Sequence, residues 1–239
     1  MEPAIFGTVR LLLDYLNRKL AVLEARPCTS IEGVPCKKIV RELWNVNLCL
    51  ADYSDTKSFI PEKDRAVLDQ MVSERLCGSR NNPDSTLAYR PDYYKKLLDK
   101  RGKLPYTYPI RLGFGANQVL EQLRVNPGSR QGFLPVYDAD DVSETISTVP
   151  CTIGYQVRVR GDSLIFTHIM RSCDIARLPV DIYLSSGMAE WFRRNLDLKD
   201  SILGFFILSL HKIEEVFEWT QEERSLEKQW APGAIAQVI

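Results

Sequence analysis

The sequence predicts an α+β fold, and three features predict it. Apolar side chains recur at helical spacing over most of the first half of the chain. From Gly132 onward the texture changes to short runs rich in β-branched and aromatic residues. The two kinds of segment do not alternate as βαβ units, which argues against a doubly wound sheet. A length of 239 residues suits one large domain over 1–239, mainly helical over 1–103 and strand-rich over 104–239.

The elements follow in order. Ile5, Val9, Leu12, Leu13, Leu16, Leu20 and Leu23 predict a long amphipathic helix across residues 4–25. A second helix is predicted from Lys37 to Leu50 and a third from Glu62 to Leu76. Gly, Pro, Asn, Asp and Ser make Cys77–Arg90 a loop. Short helices follow at Pro91–Arg101 and Ala116–Val125, the second ended by Asn126-Pro127-Gly128. Gly132–Tyr137, Thr152–Arg160 and Ser163–Met170 read as strands, with Gly161-Asp162 as the hairpin turn between the last two. Val180–Leu196 returns to helical periodicity, and Ser201–Ile213 is an apolar strand. Glu214–Gln229 reads as a charged amphipathic helix, followed by a tail, Trp230–Ile239, without clear periodicity.

Composition narrows the function. Hydrophobic residues make up 45% and charged residues 26%, a globular balance that excludes disorder. Lys+Arg and Asp+Glu are both 31, so the basic excess of a general nucleic-acid binder is missing. A small phosphorylated ligand needs only a local cluster of Arg. No apolar run reaches the roughly 18 residues of a membrane span, and charges run through Met1–Ala21. The expectation is a soluble, cytoplasmic protein. The six cysteines (Cys28, Cys36, Cys49, Cys77, Cys151, Cys173) are then expected as thiols, mostly small buried hydrophobes. With no Cys-x-x-Cys and only His168 and His211, no metal site is expected. Walker, G-x-G-x-x-G, H-E-x-x-H and G-x-S-x-G motifs are absent.

What remains is a string of short polar clusters at strand ends. Cys151 follows Pro150 at the start of a strand. Such a thiol is either packing or, with cations near enough to lower its pKa, a nucleophile. Arg130 adjoins Ser129, and Arg171 adjoins Ser172. A guanidinium fork with a hydroxyl suits a phosphate, and equally a surface ion pair.

Together the clusters resemble a known family. Asn126-Pro127-Gly128-Ser129-Arg130, Pro150-Cys151, Gln156, Arg171-Ser172-Cys173-Asp174, Leu178-Pro179-Val180-Asp181-Ile182 and Ser209-Leu210-His211 occur in that order. Their spacing is similar to that of the thymidylate synthases, a family that includes the deoxycytidylate and cytidylate hydroxymethylases. The resemblance is dense from Leu104 to His211 and extends more weakly through Ile39-Val40-Arg41-Glu42-Leu43 and Arg26.

The resemblance implies a thymidylate synthase-like mixed sheet flanked by helices, a homodimer, and 5,10-methylenetetrahydrofolate as one-carbon donor to a pyrimidine nucleoside monophosphate. It makes Cys151 the nucleophile toward C6 of the pyrimidine. Arg26, Arg130 and Arg171 with Ser172 become the 5′-phosphate clamp, Arg130 reaching across from the partner subunit. Glu42 becomes the carboxylate that organises water and proton transfers, and Tyr106, five residues ahead of Arg111, the active-site Tyr. Gln156 and Asp174 position the base and the folate, and His211 lies near the sugar 3′-hydroxyl. Thiolate addition at C6 turns the ring into an enolate or enamine whose C5 attacks the one-carbon unit. Loss of the C5 proton leaves an exocyclic methylene. A synthase quenches it with hydride, a hydroxymethylase with water.

Asp181 is the informative departure, because thymidylate synthases usually carry Asn there. Cytosine presents a 4-amino donor and an unprotonated N3, which suit a carboxylate; uracil O4 would face it acceptor to acceptor. Asp181 also suits a cap for a helix beginning at Ile182. The resemblance with this departure favours C5 hydroxymethylation of dCMP or CMP, with thymidylate synthesis on dUMP as the alternative. Thr152, Gln131 and Ile213 stand where synthases commonly have His, a second Arg and the Tyr of H-x-Y. These departures motivate a third reading, a non-catalytic nucleotide-binding relative. His168 falls outside the motifs and reads as a packed or surface His.

Overall fold

The computed structural model describes residues 3–29, 35–142 and 149–215. The strands are β1 (Ala4–Phe6), β2 (Arg26–Thr29), β3 (Pro35–Leu50), β4 (Phe133–Pro135), β5 (Thr152–Arg160), β6 (Ser163–Met170), β7 (Cys173–Asp174) and β8 (Asp200–Glu215). They form one sheet in the order β1-β3-β8-β6-β5-β4, with β2 on β3 and β7 on β8. β1/β3, β6/β8 and β7/β8 pair parallel, and the other pairs antiparallel. The sheet is therefore mixed, as the resemblance implies. The helices are α1 (Val9–Ala21), α2 (Glu62–Cys77), α3 (Thr86–Tyr89), α4 (Pro91–Tyr94), α5 (Tyr108–Leu112), α6 (Gly115–Val125) and α7 (Leu178–Asn195).

The core lies between the sheet and its helices. Leu12, Leu16 and Leu20 of α1, Leu123 of α6 and Phe192 of α7 are fully enclosed with Tyr155, Phe166 and Phe205 of the strands. Each such side chain contributes roughly 1.5–3 kcal/mol of transfer free energy. The predicted helix over 4–25 is shorter than its pattern, because Thr8 is extended and its hydroxyl accepts from the Leu11 amide at 3.3 Å. That cap starts α1 and leaves Ala4–Phe6 free to pair with β3.

The helix predicted over Lys37–Leu50 is a strand, β3, and the reason is physical. Ile39 and Leu43 face the core in its first half, Val46, Leu48 and Leu50 in its second. The face changes at Asn45, which has φ 53°. Two period-2 patterns offset by one residue place apolar side chains at 39, 43, 46 and 50, which imitates a helix. The partner strand changes face at the same rung. Leu203, Phe205 and Ile207 point inward before Leu208, and Leu210 after it.

α2 follows its prediction and stops at Gly78, whose φ of 65° is the left-handed cap conformation. A Cβ there would come within 2.3 Å of the Gly113 carbonyl oxygen, so only Gly fits. The predicted loop Cys77–Arg90 contains α3, and the helix predicted over Pro91–Arg101 is α4 extended by a tight turn to Leu97. Glu214 and Glu215 end β8 instead of starting a helix; the rest of that predicted helix and the tail lie outside the described residues. No helix among the described residues is long and apolar enough to cross a membrane.

Candidate active site

Cys151 stands at the entrance to β5 and lines a cavity of about 330 Å³. Asp181 and Val180 from the first turn of α7, Arg75 and Met71 from α2, and Arg171 after β6 share its wall. Tyr89, Arg90, Tyr93, Tyr94 and Tyr106 enclose the other side. Among the described residues the wall carries Arg75, Arg90, Arg171 and Arg177 against the single carboxylate of Asp181. A cavity so charged suits an anionic ligand with a flat aromatic part.

The helix-capping reading of Asp181 does not hold. α7 begins at Leu178 with Arg177 at its cap position, no side chain caps it, and Asp181 lies within its first turn. The carboxyl is turned into the cavity wall, where burial pushes its pKa up to about 6. The Arg75 charge, a contact from the Cys173 thiol and the Arg177 charge oppose that rise. Arg75 is itself 5% exposed. Its Nη1 donates to the Tyr155 hydroxyl at 3.1 Å, and its guanidinium lies 4.3 Å from the Tyr108 ring centroid. Sequence reading missed Arg75. The signal was present, since it falls seven residues after Leu68 and four after Met71, on the buried stripe of α2.

The segment before Cys151 is held by Arg171. Its Nε donates to the Pro150 carbonyl at 3.0 Å and its Nη2 to the Val149 carbonyl at 3.2 Å. Its backbone amide donates to the Cys151 carbonyl at 2.8 Å. Burial raises the Cys151 thiol pKa, Arg171 draws it down, and Asp181 raises it further. The resting group is a thiol placed beside a cation.

A buried polar bridge lies behind Cys151. Thr152 Oγ1 is 2.8 Å from His168 Nε2, and His168 Nδ1 is 3.0 Å from Ser185 Oγ. His168 is 1% exposed and packs against the rings of Tyr155 and Phe205. Burial, reinforced by the Arg75 charge, lowers its pKa to about 3. It is a packed His, neutral at physiological pH.

The remaining candidates fall elsewhere. Glu42 and Arg26 line a separate cavity of about 400 Å³ with Leu23, Val40 and Trp44, so the structure does not bring Glu42 to Cys151. Glu42 Oε1 accepts from the Ser209 hydroxyl, and in the β3–β8 register it stands opposite His211. His211 pairs in turn with Asp174 of β7, and its Nδ1 is 3.5 Å from Ser172 Oγ. Ser172, Asp174, His211 and Glu42 thus gather around one rung of β8. Gln156 is partly buried on β5 between two inward-facing residues, Tyr155 and Val157, and Arg130 is exposed after α6. Arg111, five residues after Tyr106, pairs with Asp138 at 3.0 Å and Asp141 at 2.7 Å. Among the described residues no group of His, Cys, Asp and Glu is arranged to hold a metal ion.

The mixed sheet with its flanking helices has a solved counterpart. The thermostable thymidylate synthase A of Bacillus subtilis superposes with a TM-score of 0.67 over 94% of this chain and 84% of its own, at 13% identity. The fold is thymidylate synthase-like. Residues 115–230 also match the family model described as thymidylate synthase, and that span contains Arg130, Cys151, Arg171, Asp181 and His211. No curated protein matches the sequence. The thymidylate synthase match begins at α6, so Arg75 and Glu42 lie outside it.

Proposed function

We propose that the protein transfers a one-carbon unit from 5,10-methylenetetrahydrofolate to C5 of a cytidine monophosphate, deoxy or ribo, and releases the 5-hydroxymethyl product. The observation that carries the reading is the placing of Cys151 and Asp181 in one arginine-rich cavity, with Asp181 free of any capping duty. Cys151 adds to C6 of the base, and Arg171 steadies the developing thiolate. Asp181 accepts from the 4-amino group and from a protonated N3. Tyr106 and Asp181, which line the cavity with Cys151, order water and move protons. The arginines of the wall bind the phosphate, and Arg130 adds to that clamp from a partner subunit in a homodimer. Ser172 joins the phosphate clamp, and Gln156, Asp174 and His211 complete the base and sugar contacts. The protein works in the cytoplasm.

The residues fit a folate. Tyr89, Tyr93, Tyr94 and Tyr106 offer aromatic faces, and the Arg90 guanidinium lies 4.7 Å from the Tyr93 ring centroid, ready for a carboxylate. Bound there, the folate supplies the one-carbon unit. The chain's own residues orient it.

One observation favours a second reading, thymidylate synthesis on dUMP. A carboxyl with a pKa of about 6 is partly protonated near neutrality, and the protonated form donates to uracil O4. The test is an assay of dCMP, CMP, dUMP and UMP with the folate, reading product mass and dihydrofolate absorbance. A hydroxymethylated cytidine nucleotide without dihydrofolate is the expected result. Methylated uridine nucleotide with dihydrofolate favours the second reading, and no turnover of any nucleotide overturns both.

A further inference from the structure

We infer that His168 is a positioning residue, a neutral buried strut that sets Cys151 and Asp181 at a fixed separation across the cavity. The inference rests on the proposed function for its catalytic meaning, but its geometry stands alone. Thr152, which His168 Nε2 contacts at 2.8 Å, is the residue next to Cys151. Ser185, which His168 Nδ1 contacts at 3.0 Å, lies four residues after Asp181 on α7. Residues i and i+4 of a helix share a face, so the turn that bears Asp181 is anchored by the same imidazole that anchors the nucleophile's strand.

The three members are all enclosed, with Thr152 and Ser185, like His168, at 1% exposure. A buried imidazole with both nitrogens engaged holds its neighbours in one geometry, because losing either contact strands a polar atom without water. His168 has no route to substrate. It lies behind Cys151, among Tyr155, Phe205 and the cation of Arg75, and does not line the cavity. Its part is to hold two other residues in place.

The experiment measures alkylation of the ligand-free protein by iodoacetamide, resolved by peptide mass, for wild type, Ser185→Ala, Thr152→Val and the double variant. Cys173, 3% exposed, reports unfolding in the same sample. Ser185 does not line the cavity and reaches the strand of Cys151 through His168. The expected result is a change of about fivefold in the Cys151 rate in Ser185→Ala, the worth of one net hydrogen bond, with Cys173 still protected. Thr152→Val should give a similar change, and the double variant should be no worse than either single, as members of one unit behave. An unchanged Cys151 profile in Ser185→Ala, or independent multiplying effects, overturns the inference. If Cys173 becomes reactive in Ser185→Ala, Ser185→Cys replaces it and is held to the same criteria. Because no nucleotide is present, the result is independent of whether the proposed reaction is right. With active enzyme, the same variants should lower kcat for the cytidine nucleotide more than they raise KM.

Discussion

The Cys173 thiol lies 3.8 Å from Asp181 Oδ2, so the only carboxylate that the described residues bring to the cavity wall is met by a buried thiol donor. Cys173 is itself pushed well above the ordinary thiol range by burial and by the Asp181 charge, so it stays protonated and serves as donor. This contact joins β7 to α7.

The raised Asp181 pKa has a signed consequence for stability. Its folded value of about 6 exceeds the unfolded value of roughly 3.9, so the native state binds more protons between those limits. The Asp181 contribution is therefore most favourable below about pH 4 and is lost as pH rises through about 6. Asp181→Asn should raise thermal stability at pH 7, by up to about 3 kcal/mol, and leave it unchanged at pH 4. A gain equal at both pH values would show that ionisation is not the cause.

Substrate choice should follow the same residue. Asp181→Asn reverses the hydrogen-bond polarity at the base edge, so kcat/KM for the cytidine nucleotide should fall by about a hundredfold or more. The uridine nucleotide should gain relative to it. In the wild type the uridine-to-cytidine ratio should rise as pH drops through about 6. An unchanged ratio in the variant removes Asp181 from base recognition.

Cys151→Ala should abolish turnover and C5 hydrogen release. Nucleotide binding, measured by calorimetry, should survive, because the arginines of the wall are untouched. Residual turnover above background would transfer the nucleophile's role elsewhere.

The Arg111–Asp141 pair makes a prediction about stability alone. The Asp141 side chain is 0% exposed and the Arg111 side chain 16%. Removing one partner leaves a buried charge uncompensated, at a cost of about 3–5 kcal/mol. Arg111→Met should therefore lower the urea midpoint strongly, whereas Lys199→Met, which breaks the exposed pair with Asp162, should hardly move it.

Gel filtration should place the protein near twice 27.4 kDa. Trp44, 67% exposed on the outer sheet face with Phe206 and Leu208, is the residue to probe: Trp44→Glu should shift the species toward monomer. An active monomeric wild type would remove the role of Arg130 across the interface.

Much of this was legible in the residues. The hairpin Thr152–Arg160 and Ser163–Met170 matches its predicted bounds, because Gly161-Asp162 and the alternation from Tyr155 through Met170 leave little freedom. Cys151, Asp181, Arg171 and Tyr106, picked by motif, meet in one cavity. Glu42 does not join them: the helix predicted around it is a strand, and its side chain lies against Ser209 instead. Arg75 was missed because its importance comes from burial, and a charged residue gives no sign in sequence that its partner lies 80 positions away. His168, read as a packed or surface His, is packed, but its contact to Thr152, 16 positions away, leaves no mark in the sequence.

The face change shared by Asn45 and Leu208 works as a key in a lock. Plain alternation forbids a slip of one residue between paired strands but tolerates a slip of two, which restores every side chain to its own side. Here β3 and β8 turn over at the same rung. A slip of two would separate the turning points and leave the rungs between them with one side chain in the core and its neighbour in solvent. The long ladder that carries both Glu42 and His211 thus has one alignment in which all its apolar residues are covered.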